Sequence, residues 1–65
     1  MSDKKVLTEN RAIIISNVIE DALEDKELND WEVEFLESIQ KQLKYKNDLS
    51  RKQWDKLIDI VPEVV

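Results

Sequence analysis

The 65-residue chain contains no cysteine, no histidine and no glycine, and its one proline is Pro62. Without cysteine there is no disulfide framework, no thiolate metal site and no thiol nucleophile. Without histidine the side chain that most often exchanges protons near neutral pH is missing. A serine-centred mechanism would lack that base, and Ser16, Ser38 and Ser50 read as core-edge, surface and helix-cap residues. Without glycine, the phosphate-cradling loops of P-loop and dinucleotide-binding proteins are excluded. Tight hairpin turns that draw on Gly or Asn-Gly are disfavoured too, so the expected fold class is all-α. No stretch approaches the ~18 consecutive apolar residues of a membrane span. Residues 1–5 are polar and mixed in charge, with no signal-peptide core behind them. A cytoplasmic location is expected, the host cytoplasm if the chain is phage-encoded.

What the chain has is charge. Ten cationic and fifteen anionic side chains leave a net charge of −5. They are not mixed evenly. Residues 1–40 carry four positive and eleven negative side chains, whereas residues 41–56 carry six positive and two negative. An acidic segment is followed by a basic one.

Helix starts are spelled out in the sequence. Asn29 followed by Glu32, with Leu28 and Val33 at the flanking apolar positions, is a capping box. Ser50 followed by Gln53, with Leu49 and Trp54, repeats it. Thr8 caps a first helix without the acidic or amide partner, because Arg11 stands in its place. Apolar spacing agrees with three helices. Helix 1 is expected over residues 9–25, with Ala12, Ile15, Val18, Ile19, Ala22 and Leu23 inward. Helix 2 is expected over 30–45, with Trp31, Phe35, Leu36, Ile39 and Leu43 inward. Helix 3 is expected over 51–61, with Trp54, Leu57, Ile58 and Val61 inward, ended by Pro62. Ile13-Ile14-Ile15 also suits a strand, but its flanks are helical and it has no partner strand. The expectation is one domain over 1–65, a compact three-helix bundle with room for a fourth short turn. Residues 1–7 are expected as a flexible N-terminal tail and 62–65 as a C-terminal tail.

Three features bear on function. The first is basic: Lys41, Lys44, Lys46, Arg51, Lys52 and Lys56, with Tyr45 at the margin of the helix 2 apolar face. Cations beside an aromatic ring suit single-stranded nucleic acid, the ring stacking on a base. The same residues also read as ordinary helix surface, with Lys52 pairing Asp55 and Lys56 pairing Asp59. The second is the acidic run from Glu20 to Glu37, a solvated face or a surface for a basic partner or a divalent cation. Its spacing does not match an EF-hand, so no metal site is assigned. The third is an apolar surplus, Ile13, Ile14 and Val64-Val65, which either docks another protein or is covered by Val6 and Leu7. No catalytic residue and no cofactor is expected.

The segment from Trp31 to Ile39 reads W-E-x-x-F-L-x-S-I, and that from Leu49 to Ile60 reads L-S-x-K-Q-x-x-x-L-x-x-I. Over most of residues 8–61 this resembles a small helical module of tailed-phage DNA metabolism, the accessory protein or C-terminal segment associated with the UvsW recombination helicase of T-even-type phages. The resemblance implies a bundle like the HRDC module of RecQ-type helicases. It also implies a nucleic-acid-binding accessory of a recombination or repair helicase, which itself hydrolyses no ATP. Single-stranded or branched DNA would then be held weakly by the Lys41–Lys56 region, with a phage helicase as a further partner. The other reading is a protein–protein adaptor, docking on a helicase or host factor through Ile13, Ile14 and the acidic half.

Overall fold

A helix leaves its first amides without intrahelical partners, and this chain supplies an acceptor for them each time. The computed structural model describes residues 4–65. Its helices are α1 (Glu9–Asp25), α2 (Asp30–Tyr45) and α3 (Arg51–Ile60). Thr8 Oγ1 accepts from the Arg11 amide at 3.1 Å. Asn29 and Glu32 exchange both bonds of the first capping box, at 2.9 and 3.1 Å. Ser50 and Gln53 do the same at 2.9 and 3.1 Å. The helix ends need no glycine, since Lys26 and Lys46 leave α1 and α2 in extended conformation. The Val61 amide still donates to the Leu57 carbonyl at 2.7 Å, and Pro62 then opens a 3-10 turn over Pro62–Val64.

Neither end of the described chain is a tail. Lys4–Val6 forms strand β1, which pairs antiparallel with strand β2 (Asp48–Ser50) in the register Lys4↔Ser50, Lys5↔Leu49, Val6↔Asp48. The Leu7 amide prolongs the ladder by donating to the Asn47 carbonyl at 2.7 Å. The expected tail at residues 4–7 is thereby corrected; residues 1–3 lie outside those described. Lack of glycine did not forbid this ribbon, because no tight turn joins its strands: α1 and α2 lie between them. At the other end Val64 is buried. The 3-10 turn is held to α1 from both directions. Arg11 donates to the Val64 carbonyl at 3.2 Å, and Lys26 meets Glu63 at 3.1 Å.

The core is apolar throughout. Ile15, Ile19, Leu36, Ile39, Leu49, Leu57 and Val61 are its fully buried large side chains, so α1, α2, α3 and β2 all contribute. A reciprocal amide pair ties α3 to α2: Gln53 Nε2 donates to Gln42 Oε1 at 2.8 Å and Gln42 Nε2 returns a bond at 3.1 Å. Gln42 Nε2 also donates to the Asp48 carbonyl at 3.0 Å, which fixes β2 beside α2. One expected core residue is not there. Trp31 is 48% exposed, and Trp54 is half-buried. At 100° per residue Trp31 points roughly 110° away from the mean direction of Leu36, Ile39 and Leu43. It packs edge-on against Phe35, with ring centroids 5.9 Å apart.

Two outcomes are expected. Leu49→Ala empties a fully buried position and lowers the unfolding free energy by about 2–4 kcal/mol in urea titration, whereas Val6→Ala, at an exposed site of the same ribbon, changes it by less than about 0.5 kcal/mol. Glu63 is held below its ordinary pKa of 4.5 by its backbone hydrogen bond and then by the Lys26 ammonium. A carboxyl depressed in the folded state adds stability above its unfolded pKa and loses it as pH falls through the folded value. Glu63→Gln should therefore flatten the decline in stability below about pH 4.5, followed by thermal melts across that range.

Candidate functional site

The seven residues singled out for nucleic acid are all exposed; six of them lie where α2 ends and α3 begins, and Lys56 stands apart. Lys41, Lys44 and Tyr45 lie on the last turns of α2, and Lys46 follows them. Lys56 lies near the other end of that helix. Its ammonium sits 5.0 Å from the centroid of the Trp31 ring, and Trp31 is about 21 Å along the α2 axis from Tyr45. Arg51 Nε pairs with Asp55 at 3.4 Å. Lys46 reaches Asp48 at 3.8 Å, and Lys4 reaches the same carboxylate at 3.9 Å. Among the described residues, Lys41, Lys44 and Lys52 have no carboxylate within salt-bridge distance. The expected pairs Lys52–Asp55 and Lys56–Asp59 do not form. Arg51 takes Asp55 across one helical turn, and Lys56 leans from α3 over Trp31.

The fold adds cations that the sequence pattern did not point to. Pairing of β1 with β2 carries Lys4 and Lys5 to the end of the molecule where α2 finishes and α3 begins. Lys5 lies 5.2 Å from the Trp54 ring centroid. Because α1 and α2 run antiparallel, the linear charge segregation becomes spatial. Asp21, Glu24, Asp25, Glu27, Asp30 and Glu34 gather around the 26–29 connection, and Lys4, Lys5, Lys44, Lys46, Arg51 and Lys52 gather at the opposite end. Among the described residues, no group of three or more acidic side chains is placed to hold a metal ion. Every buried side chain described is apolar. No described helix is long and apolar enough to cross a membrane.

The better-formed feature is a groove at the basic end, between the start of α1 and the end of α2. Ala12, Ile13 and Ser16 line it from one side, and Leu43, Lys44 and Tyr45 from the other, around a volume of about 440 Å³. Ala12 and Ser16 stand one helical turn apart and are both small, so α1 leaves the space unfilled. Gln40 bridges the helices beside it. Its Nε2 donates to the Ser16 carbonyl at 3.1 Å and to Glu20 at 3.0 Å. Ala12 and Leu43 are buried. Ile13 is 54% exposed and Tyr45 84% exposed, so neither is spent on the fold. Ile14 is 50% exposed further round α1. Val6 and Leu7 do not cover Ile13, since Leu7 is drawn into the core and Val6 is exposed on the ribbon. Of the residues named from sequence, the structure thus unites Ile13, Lys44, Tyr45 and Lys46, and separates them from Lys56.

The Lys56–Trp31 contact yields an expected outcome. In a Trp54→Phe background, Lys56→Ala changes the fluorescence of Trp31 and lowers unfolding free energy by about 0.5–1 kcal/mol, while Lys52→Ala leaves the emission unaltered. No family model matches the chain, and no curated protein and no solved structure matches it.

Proposed function

We propose that the chain is a non-enzymatic docking module, which seats a segment of a partner protein in the groove between α1 and the end of α2. The observation that carries this reading is the pairing of Ile13 and Tyr45, two large exposed side chains, on either side of a groove floored by Ala12 and Leu43. Singly exposed apolar residues are ordinary; two that line one groove, set among lysine and amide side chains, mark an interaction surface. Magnitudes favour apolar contact as the source of affinity. Covering a large apolar side chain contributes about 1.5–3 kcal/mol, whereas an exposed ion pair contributes about 0–1 kcal/mol. The lysines then govern partner choice and association rate. The resemblance to a phage helicase accessory supplies a setting, an HRDC-like bundle with the helicase as the docked partner.

Nucleic acid is the second reading, and Tyr45 is what favours it. Its ring stands exposed between Lys44 and Lys46, and stacking on such a ring contributes about 1–3 kcal/mol per base. Several cations at that end are already engaged: Arg51 by Asp55, Lys46 and Lys4 by Asp48, and Lys5 by the Trp54 ring. With about three phosphates neutralised, log K falls with log salt at a slope of roughly −2. Such binding, on a chain of net charge −5, fades at physiological ionic strength.

The two readings separate on salt and on Ile13. In affinity capture from extract of the expressing cells, with captured proteins identified, a partner retained at high salt by the wild-type chain should be lost from Ile13→Glu and Tyr45→Ala and kept by Lys52→Ala. Capture indifferent to Ile13 and Tyr45 sinks the docking site. Binding of a single-stranded oligonucleotide that persists at about 0.15 M salt and vanishes in Lys44→Glu transfers the function to nucleic acid.

A further inference from the structure

The groove's rim specifies a partner more narrowly than its floor does, a refinement that rests on the docking reading. Lys44 lines the groove and has no carboxylate partner among the described residues. Lys46 lines it too, and it shares the single Asp48 carboxylate with Lys4, so one positive charge of that trio is unbalanced. Lys41 lies one turn before Lys44 on α2, also without such a partner. Among the described residues, Glu9 is the one anion lining the groove, on the α1 side. Glu20, beyond Gln40, already accepts the Gln40 amide at 3.0 Å. In a chain that is acidic overall, the residues lining the groove therefore carry one net positive charge, with both ammonium groups on the α2 side.

We infer that the groove selects an acidic segment of a partner protein, one that inserts an aliphatic or aromatic side chain over Ala12, Ser16 and Leu43 and sets carboxylates against Lys44 and Lys46. Charge complementarity is the reason to exclude a basic segment, which would meet two ammonium groups at the rim. The volume of about 440 Å³ lies within the ~300–1,000 Å³ range of ligand-holding pockets and admits such an anchor. The carboxylates are worth little individually at an exposed rim, but like charge in their place is repelled, so they act on selection more than on affinity.

The test uses the full chain and three probes: a short labelled helical peptide carrying Leu anchors and Glu, the same peptide with Lys for Glu, and a single-stranded oligonucleotide. Binding is read by fluorescence anisotropy and by amide chemical shifts, at low salt and at about 0.15 M. The Glu peptide should shift residues 9–16 and 40–47 and bind about tenfold more tightly than the Lys peptide at low salt. Lys44→Glu should narrow or reverse that preference. Tyr45→Ala and Ile13→Glu, both at exposed positions that leave the core intact, should abolish binding of either peptide. Equal binding of both peptides in the groove overturns the acidic class while sparing the docking reading. Groove shifts from the oligonucleotide with none from the peptides overturn both. Shifts at the same residues that grow with protein concentration alone assign the groove to a second copy and overturn the inference, as does silence from all three probes.

Discussion

Much of this molecule depends on the seating of one side chain, Leu49, in the core. It belongs to a segment between two helices, yet its exposure is zero. Burial of Leu49 holds β2 in place, and β2 in turn aligns three other things. The Asp48 carbonyl is set to accept from Gln42, the Ser50 hydroxyl to cap α3, and the strand edge to pair with β1. The ladder then delivers Leu7 to the same core. A chain of this length buries only roughly 60% of the surface its unfolded form exposes. Helix faces alone do not make enough interior, and the short segments before, between and after the helices complete it through Leu7, Leu49 and Val64.

The same seating shapes the candidate site. It draws Lys4 and Lys5 toward the end of α2, and with them the cation that competes with Lys46 for Asp48. It also directs α3 back along α2, which carries Lys56 away from that end and over Trp31. The basic stretch of the sequence is thus divided by the fold. Of its six cations, Lys41, Lys44 and Lys46 stay near the end of α2, Lys52 stands at the start of α3, Arg51 is paired within α3, and Lys56 is spent on an aromatic ring. Ile13 and Tyr45 both line that groove, whose exposed surface is more polar than apolar, and the charges at its rim discriminate among partners.

The helices were legible because their signals are local. A capping box is two hydrogen bonds between residues three apart, and an inward stripe is a repeat within one helix. Both survive whatever the rest of the chain does. The spans of α1 and α2 agree with the spacing, and α3 stops one residue short of Val61, which serves as its cap. The ribbon was not legible. A three-residue strand has no measurable alternation, and its partner lies more than forty residues away. Trp31 misled for a related reason. It satisfies the helical spacing of Phe35 and Leu36, but it stands at the margin of the stripe, and only the position of α3 shows that a lysine covers it. Ile13 was legible as an outlier opposite its helix's inward face. Its meeting with Tyr45 was not.

The sequence by itself determined that this is a helical chain, where its helices begin, and that its charge is divided into an acidic and a basic stretch. Each of these is set by residue type and short-range spacing. The tertiary structure alone decided that a β-ribbon closes the core, that Lys56 is carried away from the other cations, and that Ile13, Leu43 and Tyr45 line a groove. Those outcomes depend on how one helix is rotated and placed against another, and that geometry is fixed by long-range burial rather than by any local pattern.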